Sequence, residues 1–205
     1  MIRQSAFVGY ESYDLIFYLA RVLSILGNTV AVVDHSRRRD VIRCFTDSED
    51  DTLVDYDGIT VIADNTDFSD FDYVLASYGN DWDGKIRFFD DVFFVTDYQK
   101  HNIEALRNIP VTDDQYLFLV IRDRISTKIT ADYVTQMLGE YGFDSEGVLT
   151  LEDSDDDLNN KLLIQYNSVK KTKRFSPSIT QFIITVLESD FDEKGIKQAI
   201  NAVRR

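Results

Sequence analysis

The chain has 205 residues, the length of one domain of ordinary size, and carries 36 acidic against 22 basic side chains for a formal net charge of −14. With 44% hydrophobic residues, among them 14 Phe and 11 Tyr, it can bury enough surface to offset the entropy of ordering, which excludes a disordered acidic tail. Phosphates are repelled over most of such a surface, so nucleic acid and anionic lipid are not expected as partners unless a local basic patch reverses the field. The first 15 residues hold two acids and no sustained apolar stretch, and the longest purely apolar runs, 15–20 and 116–121, are six residues, far below a membrane span. A cytoplasmic protein is expected. The single Cys44 has no internal disulfide partner, which agrees with a reducing compartment, and its acidic neighbours Asp40, Asp47 and Glu49 give no reason for an activated thiolate.

In chain order, a short apolar strand is predicted at 3–8, a turn at Gly9, and then a helix with Leu15, Ile16, Leu19, Ala20, Leu23 and Leu26 at helical spacing and Gly27-Asn28 as its stop. Residues 29–33 form a β-branched run ending at Asp34, apolar on both faces as a buried parallel strand is. Strand, tight loop, helix and strand make a right-handed βαβ unit. Further strands are predicted at 59–63, 71–76 and 91–96, a helix at 98–108 closed by Pro110, and the clearest strand at 116–121. A helix over 130–141 with Gly142 as its cap and a short strand at 148–151 follow. From 155 onward the chain is mainly helical, interrupted at 170–177, with C-terminal helices from about 177. Strands alternating with helices imply one α/β domain over 1–205, a three-layer α/β/α fold around a mostly parallel twisted sheet of about seven strands.

Ligands of such sheets bind beyond the carboxyl ends of the strands, which singles out the loop after Val8, running Gly9, Tyr10, Glu11, Ser12, Tyr13, Asp14. Here the order of elements resembles the MinD/ParA-type P-loop ATPases. Tyr18-Leu-Ala-Arg21 with residues 23–27 and the run Val30 to Asp34 resemble that family's first helix and second strand. Residues 71–75 resemble the strand before its second metal-site loop, 91–96 the next strand, and 116–123 with Leu138-Gly and 147–150 the base-recognition segment. The resemblance covers nearly the whole chain as an order of elements and implies a P-loop NTPase-like fold.

The departures matter more than the matches. In the register the resemblance implies, Ser12 stands where the family has its phosphate-binding lysine, Tyr13 where it has its magnesium-binding Thr, and Glu11 where a glycine precedes the lysine. No lysine occurs before Lys85, and Gly9 is the only glycine of the loop. The backbone is therefore less free to form a nest of N–H groups around phosphates. Glu11 and Asp14 would add repulsion of about 1–4 kcal/mol at roughly 4 Å. ATP and magnesium are not expected as cofactors.

Asp34 matches the family's strand-end Asp, with two readings: positioning water or metal, or capping a helix at 37–41. The second metal-site carboxylate is missing from Ala76-Ser-Tyr-Gly79. Arg122 stands where the family has a base-reading Asn; it recognises another anion or pairs with Asp123 or another carboxylate. Gly9, Ser12, Tyr13, Asp34 and Arg122 are thus the candidates for a degenerate nucleotide site, with no catalytic residue and no metal ligand assigned. The acidic clusters at 47–57, 64–72 and 152–157 lack calcium-loop spacing, and His35 and His101 lack a zinc spacing. Lys170, Lys171, Lys173 and Arg174 form the one basic run, either a connector or a contact for a partner or headgroup, with Arg204 and Arg205 as additions. Tyr10 and Tyr13 are candidate interface anchors. The helix over 191–205 has Phe191, Ile196, Ala199, Ile200 and Val203 on one side; it packs on the domain or, as in some MinD-type proteins, meets the membrane.

The leading expectation is a catalytically silent MinD/ParA-like protein, a protein-interaction or localisation factor working as a homodimer or with an active paralogue. The resemblance suggests positioning a secretion, pilus or conjugation apparatus, recruited to the inner face of the membrane by its partner. The alternatives are a nucleotide-binding enzyme or sensor with a rebuilt site around Ser12, Asp34 and Arg122, and a DNA-partition accessory.

Overall fold

The computed structural model describes residues 2–46, 53–62, 68–123, 128–152, 154–166 and 174–203. The expected contacts at Lys170, Lys171, Lys173, Arg204 and Arg205, and parts of the acidic clusters, lie outside the described residues. Within them, strands β1 (Arg3–Gly9), β2 (Val30–Asp34), β3 (Leu53–Tyr56), β4 (Ile59–Ile62), β5 (Tyr73–Gly79), β6 (Asp91–Thr96), β7 (Tyr116–Ile121) and β8 (Val148–Thr150) form one sheet in the order β3-β4-β2-β5-β1-β6-β7-β8. All neighbours are parallel except β3 and β4. The sheet is therefore the mostly parallel one expected, with eight strands instead of about seven.

The extra strand is β3, paired with β4 across a two-residue turn at Asp57 and Gly58, whose φ angles are 48° and 81°. Two left-handed residues in succession make the tight turn that matches strand twist, and Asp-Gly is its preferred sequence. Arg21, donating to Asp57 at 3.0 Å and lying over the Tyr56 ring, fastens this hairpin to the first helix.

The helices are α1 (Tyr13–Ile25), α2 (Lys100–Ala105), α3 (Ala131–Met137), α4 (Asp155–Gln165), α5 (Pro177–Leu187) and α6 (Glu193–Ala202). Because successive strand residues face opposite ways, the parallel strands feed two cores, whereas the edge strand β3 turns Val54 and Tyr56 to one and leaves Leu53 exposed. Phe7, Val30, Val32, Phe93 and Val95 meet α1, α4, α5 and α6 on one face, while Ala6, Val8, Ala31, Val92 and Phe94 meet α2 and α3 on the other. Phe7, Phe93 and Phe118 are in register on β1, β6 and β7 and stack at 4.5 and 4.6 Å, with Phe182 of α5 edge-on to Phe93.

Several elements are shorter than their sequence pattern. The helix expected over 98–108 spans only Lys100–Ala105: ahead of it the Asp97 carboxylate accepts from the Gln99 amide and the Asn102 side chain, and beyond it Asn108 is left-handed (φ 64°). The helix expected over 130–141 stops at Met137; a 3-10 turn at Gly139–Tyr141 follows, and the Tyr141 hydroxyl donates to the Leu106 carbonyl while accepting from the Ile109 amide. The strand expected at 71–76 runs Tyr73–Gly79, and the terminal helix is Glu193–Ala202. Its Ile196, Ala199, Ile200 and Val203 are buried in the core it shares with α1 and α5, so its apolar side packs on the domain. No described helix is long and apolar enough to cross a membrane.

Phe93 sits at the crossing of the aromatic stack with α5. Phe93→Ala is expected to cost about 3–5 kcal/mol, read as a lower urea midpoint at unchanged slope.

Candidate functional site

After β1 the chain rises to α1 on one face, and after β6, the neighbour of β1, it turns to α2 on the other. The loop between β1 and α1 therefore stands where the connections diverge, the usual ligand position of open α/β sheets. Its glycine serves packing. Gly9 has φ +102°, and a Cβ there would stand 2.3 Å from the Val95 carbonyl oxygen and 2.6 Å from Leu106 Cδ2. The Tyr10 amide donates to that same carbonyl at 2.7 Å, which lashes the start of the loop to β6.

At the end of the loop α1 begins with Tyr13 and Asp14, and its N-terminal N–H groups and dipole favour a negative charge. Asp14 supplies one from within the chain. Arg122, just past β7 and the bulkiest fully buried side chain among the described residues, is 1% exposed and Asp14 is 2% exposed. Arg122 Nη1 donates to Asp14 Oδ1 at 2.6 Å and Nη2 to Asp14 Oδ2 at 2.8 Å, a two-pronged pair that its planar fork fits. Nη1 also donates to the Glu11 carbonyl at 2.7 Å. At Glu11 the loop thus turns a carbonyl, not an N–H group, toward its buried charged partner, the reverse polarity of a phosphate nest.

A second cation closes the loop from α4. Ser154 caps α4 in a reciprocal capping box with Asp157, and the other Asp157 oxygen accepts from the Ser176 amide at 3.0 Å, tying α4 to the start of α5. One turn on from Asp157, Lys161 is carried to the loop, where its Nζ lies 2.7 Å from Glu11 Oε2 and over the rings of Tyr10 and Tyr13. Although burial pushes the Asp14 carboxyl up, the Arg122 charge and hydrogen bonds, with Lys161 behind them, hold it below the usual carboxylate range. Burial and the neighbouring carboxylates Glu11, Asp123 and Asp97 push the Tyr10 phenol up to about 12, and burial raises that of Tyr13 further. Neither phenol is an acid near neutral pH.

The remaining candidates make contacts within the chain or stand exposed. Asp34, 3% exposed, accepts from the Ser36 amide and hydroxyl through one oxygen and from the Val41 and Ile42 amides through the other. Its carboxylate thus bonds the chain that follows β2, but the helix expected at 37–41 does not form; a 3-10 turn stands at Ile42–Cys44. Ser12 is buried and its hydroxyl does not cap α1. Among the described residues no hydrogen bond joins Ser12, Asp34 and Arg122 to one another; each of the two charged groups is engaged elsewhere. Tyr13 is buried at 6% exposure, which corrects its expected role as an exposed anchor: it opens α1 and faces the core, whereas Tyr10 is half-buried. Arg174 is exposed. Burial raises the Cys44 thiol well above its ordinary range, so it is inert. His35 stacks on Tyr78, and no group of three metal-ligating side chains occurs among the described residues. Beside the loop lies an open cleft of about 430 Å³ lined by Glu11, Tyr13, Arg37, Arg38, Asp40, Arg43 and Gln165.

No family model matches the chain, and no curated protein matches it by sequence. Solved structures do match. A ParA family ATPase from Chlorobium tepidum TLS superposes with a TM-score of 0.64 at 12% identity, covering 90% of this chain and 98% of that one. MinD in a MinC:MinD complex from Aquifex aeolicus gives 0.56 at 12% identity over 98% and 95%, and pNOB8 ParA bound to nonspecific DNA gives 0.53 at 11% over 93% and 100%. The fold is that of the ParA and MinD ATPases. Lys161 and the pairing of Arg122 with Asp14 were not legible in the residues of the loop itself, since their partners stand more than a hundred positions away.

Breaking the buried pair is expected to be costly while replacing it whole is not. Arg122→Ala should lose about 3–5 kcal/mol, and the double variant Arg122→Met with Asp14→Leu should recover most of that loss, as read by urea unfolding. A carboxyl held below its unfolded value of about 4 contributes stability that is complete above that pH and is lost as pH falls through the lower folded value. Wild type should therefore lose stability below pH about 4 more steeply than Asp14→Asn, in urea titrations at stepped pH.

Proposed function

We propose that this chain is a catalytically silent protein of ParA/MinD-like fold, an interaction or localisation factor that binds protein partners without a nucleotide cycle. The observation carrying this is the occupation of the loop by the chain's own ions. Asp14 stands at the helix N-terminus where a phosphate would be held, and Arg122 and Lys161 are engaged by Asp14 and Glu11. A triphosphate would have to displace two internal carboxylates and turn the Glu11 carbonyl away from Arg122. It would do so in a loop that has no lysine of its own and in a protein of charge −14.

The fold supports a protein-binding role by analogy, since the solved Aquifex aeolicus MinD is in complex with MinC; fold alone does not carry function. Positioning of a secretion, pilus or conjugation apparatus, through a homodimer or an active paralogue and with recruitment to the membrane by that partner, is the proposed setting. The DNA seen with pNOB8 ParA is not proposed as a ligand here, because the acidic surface opposes it. A second reading, a sensor or enzyme with a rebuilt site, has the arginine-lined cleft in its favour; Glu11 and Asp40 in the same cleft weigh against it.

Calorimetry and thermal shift with ATP or GTP plus magnesium separate the two. A ligand in hundredfold excess over its Kd stabilises by about 2.7 kcal/mol. The silent reading predicts no binding heat and no melting shift at about 1 mM nucleotide; micromolar affinity, or hydrolysis that Asp34→Ala abolishes, would overturn it.

A further inference from the structure

Helix α4 is amphipathic in the wrong sense for a surface helix. Its buried side is Asp157, Asn160, Lys161 and Ile164, with Lys161 reaching the loop and Asp157 the start of α5. Its outward side carries Leu158, Leu162 and, one residue past the last turn, Tyr166, which are 46%, 58% and 76% exposed. These follow one another at intervals of four, with the exposed Asp155 three positions ahead of Leu158, so all four lie along one edge. An ordinary surface helix buries its apolar stripe. Here the loop has claimed the inner face for polar anchoring, and the apolar stripe is left facing solvent.

We infer that this edge is a homodimer interface in which α4 packs antiparallel against α4 of a second copy. The stripe is self-complementary about its middle: with Leu162 on the twofold axis, Leu158 meets the partner copy's residue at position 166, as an isologous contact requires. Charge selects a second copy over an unrelated apolar partner. The N-terminal end of α4 is acidic, with Asp155 and Asp156, whereas its C-terminal end borders, at Gln165, the cleft in which Arg37, Arg38 and Arg43 outnumber Glu11 and Asp40, with Arg37 also paired to Asp81 and Glu11 to Lys161. Antiparallel pairing brings each acidic end toward the other copy's arginines twice over, while parallel pairing sets like charges together. Two short helices bury less than the roughly 1,200 Å² of a standard interface, so the dimer is weak, with a Kd of about 10–100 μM.

The inference rests on the reading of the chain as an interaction factor. Sedimentation equilibrium without nucleotide separates the two, since it reports self-association whether or not nucleotide binds. The wild-type chain should dimerise in this range, and Leu162→Asp, a solvent-facing change that should leave the thermal melt in place, should weaken the dimer at least about tenfold. Asp155→Lys and Arg38→Glu should each weaken it, and their equimolar mixture should restore dimer as a heterodimer in which both charge contacts are again opposite in sign. A monomer at all concentrations up to about 500 μM, a dimer that Leu162→Asp leaves intact, or a mixture no tighter than its components would overturn the inference.

Discussion

The buried pair of Arg122 and Asp14 ties the end of β7 to the first turn of α1 and holds the loop between them. Neither group would be tolerated alone: an ion withdrawn from water survives only with a partner and satisfied hydrogen bonds. Each prong of the guanidinium meets a carboxylate oxygen, and the third donor contact, to the Glu11 carbonyl, sets the direction of the backbone just before α1. Lys161 completes the arrangement from α4, where a capping box and the link from Asp157 to Ser176 hold that helix against the start of α5. At its other end β1 is held by a comparable node. Arg3 pairs with the buried Asp91 and with Asp190, while the Tyr73 hydroxyl donates to Asp190, joining β1, β5, β6 and the segment between α5 and α6.

A fold whose loop binds phosphates needs free N–H groups, free cations and an empty helix N-terminus. Here the same place in the same fold holds ion pairs of the chain's own residues. Asp14 and Glu11 are paired with Arg122 and Lys161 from distant segments, and at Gly9 the approach of the Val95 carbonyl leaves no room for a side chain. The consequence reaches beyond the loop. Because α4 spends its inner face on Lys161 and Asp157, it cannot bury Leu158 and Leu162, and the outer edge that results is where a second copy is proposed to bind.

What could be read from the residues divides along the range of the interactions. The parallel strands were legible because runs such as Val30 to Asp34 and Tyr116 to Ile121 are apolar on both faces, and α1 because its leucines recur at helical spacing. The missed strand β3 was within reach, since Leu53 to Tyr56 and Ile59 to Ile62 flank Asp57-Gly58, a preferred hairpin turn. The shortened helices were not, because a left-handed Asn108 and the bonds of the Tyr141 hydroxyl are tertiary facts. At the site, the missing lysine of the loop was visible, and so were both roles open to Asp34. That Arg122 answers Asp14 could not be seen, because the two are 108 residues apart. Nor could the polar inward face of α4, which runs against the periodicity used to orient helices.

The central claim, that Asp14 is the resident anion of this loop, is tested most directly by titrating its carboxyl carbon by NMR in the folded protein, with and without magnesium and ATP. Asp14 should stay ionised below the ordinary carboxylate range, and its titration should be unchanged by nucleotide. A midpoint at the ordinary value of about 4 or above, or one that moves when ATP is added, would contradict the claim.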